Sequence, residues 1–227
     1  MLEILRENGL QLLLGTFPHG PLGGLALTLL VAVAGLLLAL PTGLLIAWGL
    51  ISPWRVVRLP LQALVFYIRS VPLVLHILWA YFLLPLAIGR TVPGPVTVLV
   101  TLLIFNGAYL SQVLRAGIRA VPPGQTQAAQ ALGFSYLATL RLVVLPQALR
   151  NVVPSIVSQL VLLIKGTALG AVIGMTELMQ QFMELADRHH EYTLQIYLLL
   201  GVSYFLLCYP LALAGRRLET QRNRAKA

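Results

Sequence analysis

Gly124–Ala148 reads GQTQAAQALGFSYLATLRLVVLPQA, a run of Gln, Ala and Gly set between segments apolar enough for lipid. Pro122 and Pro123 come just before it, and Pro is tolerated in a helix's first turn; Gly133 after Leu132 supplies a stop. The spacing predicts a short helix from about Pro123 to Leu132, far below the about 20 residues a membrane crossing needs. Ser135 is placed to cap a second short helix from Tyr136 to about Val144, with Pro146 and Pro154 punctuating the entry to the next apolar run. Ala128, Ala129 and Ala131 give the first helix a low profile, so another surface can close over it. A helix lying on lipid would show Lys or Arg on one face and large apolar residues on the other. This one shows mainly Gln and Ala, which marks it as a docking element outside the membrane.

Around this stretch, 58% of the 227 residues are hydrophobic and 10% charged. A soluble domain carries roughly 25% charged residues, so the chain is an integral membrane protein. Five segments are long enough to cross: about Leu22–Leu50, Leu61–Ile88, Pro95–Leu114, Val152–Met175 and Thr193–Ala214. None alternates with period two, so the expected class is all-α. One transmembrane domain, residues 22–214, contains the cytoplasmic segment at about 116–150. Residues 1–21 form an N-terminal extracytoplasmic segment and 215–227 a basic tail. Glu3, Arg6 and Glu7 have no short apolar core behind them, so a cleaved signal is not expected. Cys208 is the one cysteine, which excludes an internal disulfide.

If the five spans alternate, Arg55, Arg58, Arg115, Arg119, Arg141, Arg150, Arg216, Arg217, Arg222, Arg224 and Lys226 share one side, the cytoplasm. The N-terminus is then outside and the C-terminus inside. The net charge of +9 follows from this topology, and nucleic acid is not needed as a partner. No Asp or Glu lies between Glu7 and Glu177. The basic residues in that interval must meet water, membrane lipid or the acidic groups of a docked protein.

Arg69 and Lys165, reckoned along straight helices from Arg58 and Arg150, reach about the middle of the membrane, where charges face a cavity or the bundle interior. Both are candidates for lining a path; the alternative for each is capping carbonyls freed by a broken helix, and Pro72 just after Arg69 would free one. Gly166, Gly170 and Gly174 fall four apart and are expected to let a second helix approach. His76 is expected as a satisfied interhelical donor. Asp187, His189, His190 and Glu191 are read as a solvated external loop, with Glu184 and Asp187 as possible docking charges, and no metal site is expected.

Taken jointly, these residues resemble the permease subunits of ABC importers, in particular those for polar amino acids of the histidine, glutamine and glutamate type. The cytoplasmic signature of that family, the EAA motif, is similar to Ala128-Ala129, Gly133 and Leu145-Pro146. Further likeness comes from Arg69 with Pro72, Gly107-Ala108-Tyr109, Arg115-Ala116-Gly117, Gly124-Gln125, Pro154, Lys165 with Thr167 and Leu169, and Glu177-Leu178, over about residues 20–217. The resemblance implies a type I importer architecture of five transmembrane helices, with a coupling helix between the third and fourth. That helix would present Gln125, Gln127, Ala128, Ala129, Leu132 and Gly133 to an ABC-type ATPase dimer holding ATP and Mg. It also implies an extracytoplasmic amino-acid-binding protein, a second permease subunit, identical or paralogous, and a substrate path near Arg69, Lys165 and Thr167. The chain has no G-x-x-x-x-G-K-[ST] loop, so it is expected not to be an enzyme and to carry no cofactor of its own.

Departures from the family sharpen the expectation. Gln stands at 112 and 127 where Glu is usual, Ser158 for Asn, Gly166 for Asp and Ala168 for Ser. Gly166 leaves Lys165 without a neighbouring carboxylate, which favours acidic or neutral amino acids over basic ones. The rivals are a membrane component of another ATP-driven uptake complex, the nearest competitor, and a secondary transporter, but the latter usually houses coupling carboxylates in the membrane, and the five spans contain none.

Overall fold

The computed structural model describes residues 2–224; Lys226 of the basic tail lies outside them. Ten helices follow in order: α1 (Leu2–Leu14), α2 (Gly24–Ile51), α3 (Arg55–Ser70), α4 (Leu73–Ile88), α5 (Gly94–Arg119), α6 (Pro123–Ala131), α7 (Tyr136–Thr139), α8 (Leu145–Thr167), α9 (Leu178–Arg188) and α10 (Thr193–Arg224). Among the described residues no strand forms beyond two isolated bridges, Gly15 with Leu22 and Gly24 with Glu177.

Four helical runs are long and apolar enough to cross a membrane, Gly24–Ile51, Gly94–Arg119, Tyr136–Ile173 and His190–Gln221, and the α3–α4 pair makes a fifth, broken span. At one end of the bundle, Gly24 meets Glu177 and Gly94 lies near Ile173 and Met175. At the other, Ile51, Ile118 and Leu145 gather around Val121, Leu140, Val144 and Ala148. The α2–α5 seam is built from small residues: Gly35, Ala39, Gly43 and Ala47 are buried at fourfold spacing on α2. A Cβ on Gly43 would stand 2.9 Å from Leu110 Cβ and 3.1 Å from the Gly107 carbonyl, so only hydrogen lets these backbones approach so closely. This seam, and not the later glycines, is the main small-residue contact.

Four expectations change. The second span is not one rod from Leu61: α3 starts at Arg55, and α3 and α4 meet at 101°. Pro72 has no N–H and forces Val71 into an extended conformation (φ −99°, ψ 136°), which ends α3. Depth reckoned along a straight helix therefore does not carry through the second span as a whole. The second short helix does not stand apart either, because α7 runs through a wider turn, Leu140–Val144, into α8. There the Leu145 N–H reaches back five residues to the Leu140 carbonyl, and the widening lets the Pro146 ring fit without breaking the helix.

The fourth span tightens at its far end into a 3₁₀ segment, Ala168–Ile173, closed by Gly174 at φ 72°. Gly166, Gly170 and Gly174 thus share no α-helical face. A Cβ on Gly166 would meet Leu102 and Leu73 at 3.2 and 3.3 Å, and one on Gly170 would meet Met175 and Val98, whereas Gly174 faces open space and serves as a left-handed stop. Finally, the acidic connector is more than a loop, although Asp187, His190 and Glu191 stay exposed as expected. It folds as α9, whose Leu178, Phe182, Leu185 and Ala186 form a buried cluster with Leu12 of α1 and Ile196 and Leu200 of α10.

Candidate coupling surface and central path

Nine residues form α6, and two of the four orphan carbonyls at its end are closed by N–H groups from beyond it. Phe134 N donates to the Ala129 carbonyl (3.1 Å) and Gly133 N to Gln130 (3.0 Å), a Schellman motif with Gly133 at φ 82°. The expected stop at Gly133 is thus a left-handed backbone position with no atom within 4 Å of where a side chain would begin. Gln125, Gln127, Ala128 and Gly133 are exposed, and Leu132 is 80% exposed. Ala129 is different: it is 4% exposed and turned into its own chain, so it belongs to the foundation of α6 and not to its outer face. Gln147 Nε2 donates to Gln125 Oε1 (3.2 Å), which ties the first turn of α6 to the first turn of α8. Ser135 caps α7 by accepting from Ala138 N at 3.3 Å.

Arg69 is exposed at the end of α3, and its guanidinium lies 4.8 Å from the centre of the Tyr109 ring. A cation over an aromatic face is held by the ring quadrupole. Tyr109 sits 5.0 Å from Phe105, which meets His76 edge-on at 5.6 Å. His76 does not bridge helices by hydrogen bond: its Nδ1 lies 3.2 Å from the Pro72 carbonyl of its own chain segment, and its Nε2 is buried without a partner. Lys165 is exposed on the last turn of α8. Contact of Gly166 with Leu73 sets that turn against the start of α4, four residues past Arg69. Thr167 leaves the set of path candidates, being fully buried with its hydroxyl donating to the Ile164 carbonyl at 2.8 Å.

Two buried polar groupings escaped the sequence reading. Gln159 Nε2 donates to Asn106 Oδ1 across the α5–α8 contact, and Asn106 Nδ2 donates to the Leu102 carbonyl (2.8 Å). Glu177 is completely buried and accepts from Gln180 N (3.0 Å) and the Tyr204 hydroxyl (3.1 Å), with Thr28 Oγ1 at 3.3 Å. Burial raises the Glu177 pKa above the ordinary carboxylate value, and these donors only partly offset it. Amides inside apolar spans were the available signal for the first; for Glu177 the signal was its place in the family-like pair Glu177-Leu178, which says nothing of burial.

A short helix outside the membrane, joined to a five-span bundle broken at Pro72, is an arrangement shared with known proteins. Residues 39–224 match the family model for the binding-protein-dependent transport system inner membrane component. The chain belongs to that family. The permease is 37% identical over 201 residues to the probable glutamine ABC transporter permease protein GlnP of Bacillus subtilis, covering 88% of this chain and 92% of the relative. It is 32% identical to the arginine transport system permease protein ArtQ of the same organism, over 90% and 94% of the two chains. Its backbone matches a crystal structure of an amino acid ABC transporter with histidines at a TM-score of 0.78, with 27% identity over 87% of this chain and 92% of that one. The architecture is that of a type I importer permease, a multi-pass inner-membrane subunit in a family whose ATP hydrolysis is done by a separate chain.

Proposed function

We propose that this permease is the membrane subunit of an ATP-driven importer of polar amino acids, with α6 as the seat of an ABC-type ATPase dimer. The observation that carries this reading is Leu132, a large apolar side chain 80% exposed on a helix too short to span a membrane. A partner that covers it recovers burial worth about 1.5–3 kcal/mol for a side chain of this size. ATP and Mg reside on that partner. A second permease subunit, identical or paralogous, completes the path, and an extracytoplasmic binding protein delivers substrate at the α1–α9 end. The N-terminus is then outside and the C-terminus inside. Closure of the ATPase dimer draws the two α6 helices together and turns the path outward, provided the ATPase contacts differ between the two states.

Arg69 and Lys165 give the path positive charge, and the sequence has no Asp or Glu between Glu7 and Glu177 to offset it. That combination favours acidic or neutral amino acids. Co-purification from native membranes tests the first part: the wild-type chain brings down ATPase activity, and Leu132→Glu loses it while expressing normally. An ATPase that stays bound to Leu132→Glu would remove α6 as the seat. Uptake competed with glutamate, glutamine, arginine and histidine tests the second part, and strong selective inhibition by arginine would overturn the substrate preference.

A further inference from the structure

On the outer face of the bundle, between α2 and the wide turn that joins α7 to α8, lies an open groove of about 310 Å³. Leu44, Trp48, Ile118, Leu140 and Leu145 form its walls, and Arg141 lines its edge. Leu45 and Trp48 also line a second hollow of about 530 Å³ bounded by Trp54, Val57, Leu61 and Tyr136, so the two make one trough around Trp48.

A water occupies about 30 Å³, so the first hollow alone would take about ten waters along walls that offer them almost no partners. Hydrocarbon fits such walls better than water. The rim has the opposite character. Arg141 is exposed, and none of the helices that build the trough, α2, α3, α5, α7 and α8, contains an Asp or Glu. Trp48, Trp54 and Tyr136 are 48%, 71% and 56% exposed, large amphipathic rings of the kind that settle at a membrane boundary. A long apolar body with a single negative head matches this surface.

We infer that the trough is a site for one anionic phospholipid, an acyl chain lying along Leu44 and Trp48 and the phosphate on the Arg141 guanidinium. Arg141 supplies the selectivity, since a phosphate pairs with guanidinium by two parallel hydrogen bonds. Trp48 supplies the report, because it lines both halves of the trough. The lipid braces the wide turn, whose Leu140 and whose successor Leu145 both touch the trough.

The test uses the full chain in lipid nanodiscs, with Trp54→Phe and Trp79→Phe leaving Trp48 as the chain's fluorophore. Brominated phosphatidylglycerol titrated into phosphatidylcholine quenches Trp48 with a saturating midpoint at a small mole fraction, and brominated phosphatidylcholine quenches only in proportion to its bulk share. Arg141→Gln raises the phosphatidylglycerol midpoint about fivefold, the value of one Arg beside an anionic surface. Leu45→Trp, scored by native mass spectrometry, lowers the retained phosphatidylglycerol. Equal quenching by both lipids, or a midpoint unmoved by Arg141→Gln, would reduce the trough to ordinary boundary lipid. A Leu45→Cys chain that cross-links to its neighbour in native membranes would overturn the inference by making the trough a subunit interface.

Discussion

Replacing Glu177 by Ala removes three functions of one buried side chain. Gln180 N loses the acceptor at the start of α9, and loss of such a cap costs about 1 kcal/mol. The part-buried Tyr204 hydroxyl loses its carboxylate acceptor, about 2 kcal/mol. Thr28 loses little, because its hydroxyl lies 3.2 Å from the Gly24 carbonyl as well and can turn to it. The sum is about 3 kcal/mol, less whatever is regained by not burying a charge, and for a chain of this length each kcal/mol moves Tm by about 2–4 °C. Glu177→Ala is therefore expected to melt about 6–12 °C below wild type in detergent at neutral pH. Glu177→Gln keeps one acceptor and has no charge to bury, so it should melt near wild type or above it.

The pH dependence follows with a definite sign. A carboxyl whose folded pKa is raised stabilises the fold fully below its unfolded value, and that contribution is lost as pH rises through the folded value. Wild type should thus lose stability between those two points, and Glu177→Gln should not show that part of the slope. Scanning fluorimetry across pH measures both. If Glu177→Ala melts within a degree of wild type, the hydrogen-bond accounting at this corner is wrong.

Gly43→Val should abolish monodisperse expression, because even its first carbon would stand 2.9 Å from Leu110 Cβ; size-exclusion chromatography reads this directly. Gly133→Ala has open space but a left-handed backbone, so it should cost about 1–2 kcal/mol in thermal unfolding without displacing a neighbour. Gln125→Ala, which breaks the tie to Gln147 and trims the outer face of α6, should lower uptake per ATP hydrolysed in reconstituted vesicles. Arg69→Gln loses the contact with Tyr109 and one positive charge, and should weaken uptake of glutamate more than that of glutamine in competition assays.

Much of the architecture was legible because apolar length is a coarse signal. Span number and the extent of α6 followed from runs of Leu and Val and from Pro123 and Gly133, whose backbone preferences are local. What changed depended on which faces pack inward and where the backbone alters its pitch. Thr167 looked like a path residue until its hydroxyl was seen to close on Ile164, and Ala129 like a contact residue until burial placed it inward. The glycines at 166, 170 and 174 matched a packing pattern, but the backbone changed pitch between them. Pro146 is the complementary case: a residue that normally breaks a helix is accommodated by one wider turn, which no local preference predicts.

The unbroken passage from Tyr136 to Ile173 spans 38 residues, a strut about 57 Å long at 1.5 Å per residue. One wide turn in it, Leu140–Val144, lies beside α6, while Lys165 sits about 31 Å farther along. A tilt of about 5° pivoting there sweeps Lys165 sideways by about 3 Å, roughly the length of a hydrogen bond. A span of this length would turn a displacement too small to unseat any helix at one end into the making or breaking of a polar contact at the other.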